Sequence, residues 1–125
     1  MNYKIPDAQL YVDPAGPLPT ITFDSNLNAT HFHVQVLTPT GWEMVLDSSG
    51  LSTPCVIRGG PISTPADFSG KKFFWDITLV TQNATDTVSS KLQITIKQGN
   101  NTLLTKTDTH NITDQESYYE YLSAN

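Results

Sequence analysis

The sequence predicts an all-β protein, an antiparallel β-sandwich of about eight strands in the Ig-like or jelly-roll-like class, and three observations carry that prediction. The first is a period of two across residues 71–98. Phe73, Trp75, Ile77 and Leu79 fall on one face of one run, and Val88, Leu92, Ile94 and Ile96 on one face of the next, while Lys91, Gln93, Thr95 and Lys97 point the other way. The second is composition: 17 Thr and 10 Ser stand against three Glu and seven Lys plus Arg, which favours a half-solvated pleated surface over solvated helix. The third is that shorter alternating runs recur along the whole chain, parted by Gly, Pro, Asn and Asp.

Taken in order, an extended piece around residues 9–12 leads into a turn cluster holding Asp13, Pro14, Gly16 and Pro17. A strand at 20–24 turns Ile21 and Phe23 inward, and one at 30–37 turns Phe32, Val34 and Val36 inward. Pro39 and Gly41 then turn the chain into 42–47, where Trp42, Met44 and Leu46 share a face, and Asp47 and Gly50 close that strand. A short strand near 55–58 precedes the longest irregular stretch, 59–70, which holds Pro61, Pro65 and Asp67. The two runs of 71–98 read as a hairpin across a polar connection with Trp75 in the core, and Gly99 and Asn100 turn into a strand at 102–107. The C-terminal segment has two readings. Thr113 to Glu116 fits a capping box, which predicts a short C-terminal helical turn with Tyr118, Tyr121 and Leu122 on one side; a last edge strand with Tyr119 and Tyr121 outward fits almost as well. Without repeats or linkers, residues 1–125 read as one domain.

A chain of 125 residues is long enough to bury roughly two-thirds of the surface it exposes when unfolded. Cys55 is the single cysteine, so no internal disulfide staples the fold, and its neighbours Val56 and Ile57 predict a buried, inert thiol. A net charge of −5 and a pI near 4.8 argue against nucleic acid as a partner. No apolar run approaches the roughly 20 residues that a spanning helix needs, and no apolar signal core opens the chain. The expectation is a soluble protein made without a leader, its compartment unspecified. Four Asn-X-Ser/Thr sequons, at Asn28, Asn83, Asn100 and Asn111, read first as turn chemistry.

If consecutive strands run antiparallel, alternate loops share an end of the sandwich. One end then gathers Asp24, Asp47, Asp86 and Asp108 with Asn26, Asn28 and Asn83 and no Lys or Arg, whereas the other gathers Arg58, Lys71 and Lys72 around Trp42. A carboxylate-rich end suits sugar hydroxyls or Ca²⁺, because hard cations take several oxygens. Asp and Asn are also the ordinary turn-formers of β proteins, and no Asp-X-Asp-X-Asp spacing occurs. The expected ligand-binding residues are Asp24, Asn26, Asn28, Asp47, Asn83 and Asp86, with Trp42 supplying an amphipathic ring. Ca²⁺ is the one cofactor this set suggests.

His31 and His33 share a strand face, where they would hold Zn²⁺ if a neighbouring strand added His110, Asp76 or Glu43 as a third ligand. Nucleophilic catalysis has less support. There is no Gly-X-Ser-X-Gly elbow, Cys55 has no His near it in sequence, and Arg58 with Gly59 and Gly60 lacks the features of a phosphate loop. The expected function is therefore non-enzymatic: a recognition module with lectin-like binding of a carbohydrate at one loop end. The alternative is a protein-interaction or assembly domain, a homo-oligomer included, using an edge strand and the C-terminal Tyr cluster. A metal-dependent enzyme built on His31 and His33 stands third.

Overall fold

The computed structural model describes residues 2–4, 8–25, 28–48, 54–80, 88–112 and 116–124. They form β1 (Asn2–Lys4), β2 (Ala8–Gln9), β3 (Thr20–Ser25), β4 (Asn28–Thr38), β5 (Gly41–Ser48), β6 (Cys55–Val56), β7 (Lys72–Val80), β8 (Val88–Gln98), β9 (Asn101–Ile112) and β10 (Glu116–Ala124), with one 3-10 turn at Pro65–Phe68. The all-β expectation therefore holds, with seven strands of six residues or more and three shorter ones. Two sheets result. The first has the order β1-β10-β7-β4-β5, with β2 also on β10, and the second the order β6-β3-β8-β9. All pairings are antiparallel except those of β1 and β2, which run parallel to β10.

One apolar cluster joins the sheets. Phe32, Val34, Val36, Val45, Phe73 and Trp75 enter it from the first sheet and Ile21, Leu92, Ile94 and Ile96 from the second. Leu10, Ile57, Ile62 and Phe68 come from the segments between strands, so the irregular stretch 57–68 covers core rather than looping free. Each such side chain contributes roughly 1.5–3 kcal/mol when fully buried. The aromatics interlock within this cluster. Phe68 stacks on Phe73 at 5.1 Å between centroids, Phe73 lies 6.0 Å from Trp75, and Phe23 meets Phe32 edge-on at 4.1 Å from the opposite sheet.

The strand faces assigned to residues 71–98 are correct where described, but the hairpin is not. β7 pairs with β4 and β10, whereas β8 pairs with β3 and β9, so the connection at 81–87 changes sheets. Alternation specifies which face a strand buries; it is silent on which edge the strand joins. The C-terminal helical turn is likewise replaced by β10. This strand pairs with β7 over nine residues and carries β1 and β2 on its other side, so it is interior rather than an edge. A two-sided backbone ladder outweighs a capping box worth about 1 kcal/mol. Tyr121 falls in register with Trp75.

A bulge in β5 corrects a third expectation. Val34 pairs with Leu46 and Gln35 with Met44, leaving Val45 as the extra residue. Val45 and Leu46 consequently both reach the core, while Trp42 and Met44 remain exposed, so the three residues expected on one face are divided. Gly59 locks against this bulge. Its φ of +147° disfavours any L side chain, and a Cβ there would sit 2.2 Å from the Val45 carbonyl oxygen.

Gln98 is the one buried polar side chain among the described residues, at the core-facing end of β8. Its Oε1 accepts the Asp13 N–H at 2.9 Å, and its Nε2 donates to the carbonyls of Asp13 at 2.6 Å and Pro17 at 2.9 Å, tying the 13–17 turn to the second sheet. Gln98→Ala is expected to cost about 2–4 kcal/mol, because a donor and two acceptors lose their partner together. A chemical-denaturation midpoint unchanged within error would show that the turn is not held this way.

Candidate functional site

The outer face of the first sheet is built by the same alternation that fills the core. With Phe32, Val34 and Val36 inward, β4 turns His33, Gln35 and Leu37 outward; with Phe73 and Trp75 inward, β7 turns Phe74 and Asp76 outward. Beyond its bulge, β5 adds Met44 opposite Gln35 and Trp42 opposite Leu37, and Asp47 sits opposite His33. The face thus carries a polar row, Asp47, His33 and Asp76, beside an apolar field of Met44, Phe74, Leu37 and Trp42. Trp42 is 46% exposed, Leu37 41% and Met44 39%, and the Trp42 and Phe74 ring centroids lie 6.0 Å apart. Large apolar groups gathered on a solvated sheet face are the usual mark of a contact surface.

His33 anchors the polar row. Its Nδ1 lies 2.8 Å from Asp76 Oδ1 and its Nε2 3.4 Å from Asp47 Oδ1, so two carboxylates hold the ring in one orientation. Both ring nitrogens therefore face carboxylates. Asp76, one of the third ligands considered for the His pair, is thus a hydrogen-bond partner of His33. His110 lies on β9 in the other sheet, and Glu43 pairs with Val36. Among the described residues, no group of three His, Cys, Asp or Glu side chains could hold a metal ion.

Of the residues expected at one loop end, Asp24, Asn28 and Asp47 are described, near the end of β3, at the start of β4 and near the end of β5. Asp24 is exposed near the end of β3 in the second sheet, where it lines an open cleft of about 350 Å³ with Ser25, Lys91 and Gln93. Asp47 belongs to β5 in the first sheet and is engaged with His33. Asn28 opens β4 in register with Val80, and Asn26, Asn83 and Asp86 lie outside the described residues. Trp42 and Asp47 are five positions apart on β5, about 16 Å along an extended strand, so they do not converge. His31 and His33 flank the buried Phe32 and pair with Thr78 and Asp76 of β7.

Two other reactive side chains are structural. Cys55 is half-buried against the core, and burial raises its thiol pKa, which disfavours the reactive thiolate. Asp67 is held down to about 2 by the Ser63 and Thr64 N–H groups, with both hydroxyls adding to them, and so acts as the cap of the 3-10 turn.

The fold and this face define a two-sheet all-β domain carrying an exposed aromatic surface. No protein family, curated protein or solved structure matches the chain. No helix among the described residues is long and apolar enough to cross a membrane.

The polar row was legible only in part, because Asp47, His33 and Asp76 are far apart in sequence and strand order brings them together. Met44 and Leu37 were missed as surface groups; the bulge that exposes Met44 has no Gly or Pro beside it to announce it.

Proposed function

We propose that the protein is a non-catalytic recognition module, a β-sandwich that binds a saccharide-class ligand on the outer face of its first sheet, centred on Trp42. The observation that carries this reading is the exposed Trp42 beside Phe74, with the hydrogen-bonded His33 and Asp76 on the same face. An aromatic ring stacks on the apolar C–H face of a pyranose, and fixed carboxylate, amide and imidazole groups bind its hydroxyls. Gln35, in register with Phe74 and Met44, supplies such a group beside the rings, and the row of Asp47, His33 and Asp76 farther along the strands supplies them to further units of an oligosaccharide. The loop-end site with Ca²⁺ is the weaker form of the proposal, because Asp47 is already engaged with His33.

A glycan array run with and without Ca²⁺ tests the class of ligand, and intrinsic tryptophan fluorescence then gives the affinity. Trp42→Ala is expected to weaken binding by at least about tenfold, roughly 1.4 kcal/mol, with the melting temperature little changed. A flat array, or full affinity in Trp42→Ala, would refute the reading. Assembly through an edge strand is the second reading, and a specific feature of β9 supports it.

A further inference from the structure

We propose that β9 is a homodimerisation edge, along which two copies of the chain pair antiparallel with Thr107 at the two-fold axis. β9 is the outer strand of the second sheet, and among the described residues only β8 pairs with it. It is twelve residues long and contains no proline, so two common ways of blunting an edge are missing. Its one register shift falls near its start, where Leu103 is the extra residue, and from Leu104 to Ile112 the ladder is regular.

The sequence of this edge is self-complementary about one point. When two identical strands pair antiparallel around Thr107, Lys106 of each copy lies opposite Asp108 of the other, and Thr105 lies opposite Thr109. Opposite charges and Thr–Thr pairs are favourable cross-strand partners. Moving the axis by one residue sets Lys106 against Lys106 or Asp108 against Asp108, so the charges select a single register. Their position makes the selection effective. Lys106 and Asp108 pair across β8 with the buried Ile94 and Leu92, and both are half-buried, where a mismatched charge is costly. Asp108 Oδ1 also accepts the Thr109 N–H at 3.2 Å.

Such pairing is isologous, so it closes at two chains rather than growing into a fibre. One strand pair buries less than the roughly 1,200 Å² of a standard stable interface, so the dimer is weak and concentration-dependent. β9 belongs to the second sheet and Trp42 to the first, so this surface stands or falls independently of the proposed ligand face.

Sedimentation equilibrium across a wide concentration range tests the proposal. The wild-type mass should rise from one chain towards two. Lys106→Asp alone, or Asp108→Lys alone, should weaken the dimer at least about tenfold by setting like charges opposite each other, and the two together should restore it. Circular dichroism reports whether each variant folds. As a positional readout, Thr107→Cys in a Cys55→Ser background should form a disulfide-linked dimer on mild oxidation, because residue 107 faces its own copy. A monomer at every concentration, failure of the double variant to recover, or dissociation caused by Trp42→Ala but not by the charge variants would overturn it.

Discussion

Trp75→Ala is expected to destabilise the protein by about 3–5 kcal/mol, read as a fall in the denaturant midpoint with an unchanged slope. Trp75 is 2% exposed and is the largest buried side chain; it sits in the middle of β7 and continues the aromatic series of Phe68 and Phe73. Removing the indole deletes its transfer free energy and leaves a cavity between two rigid sheets that cannot close over it. Lys91→Ala, on an exposed position of β8, provides the contrast and should stay within about 0.5 kcal/mol. Equal small effects at the two positions would mean that the inward face of β7 is wrongly assigned.

Deleting residues 117–125 should abolish cooperative folding. The deletion removes nearly all of β10, which pairs with β7 from Val80 to Lys72 and is the strand on which β1 and β2 rest. Its loss opens a long edge on the strand that carries Trp75 and invites aggregation through that edge. Because the pairing is within one chain, the loss of stability should be the same at every protein concentration. A truncated protein that melts as the full chain does, or one whose only change is dissociation of an oligomer, would contradict the interior position of β10. The C-terminal segment thus pairs on both sides within the chain, and its backbone is not left as an edge for assembly.

Much of the fold was legible because burial on one side of a strand imposes alternation directly on the sequence. Phe32, Val34, Val36, Phe73, Leu92, Ile94 and Ile96 were all read as inward and are all buried. Strand partnership was not legible. The inward residues of β7 and β8 face the same core from opposite sheets, and a hairpin would have produced the same pattern of apolar residues. Gln98 was missed because its burial depends on the carbonyls of Asp13 and Pro17, more than 80 positions away.

The candidate site divides in the same way. An outward Phe74 follows from alternation once Phe73 is placed in the core. That the Trp42 and Phe74 rings approach to 6.0 Å, and that His33 is held between Asp76 and Asp47, followed from the order β7-β4-β5.

By itself the sequence determined an all-β chain, the inward face of its main strands and the absence of an internal disulfide, because periodicity, composition and cysteine count are local or summed properties. The tertiary structure decided which strands are neighbours, that β10 lies inside its sheet, and that a bulge at Val45 puts Met44 and Trp42 in solvent. Those outcomes depend on backbone hydrogen bonds between distant segments. Such bonds use the same N–H and C=O groups at every residue, and so leave no mark in the order of side chains.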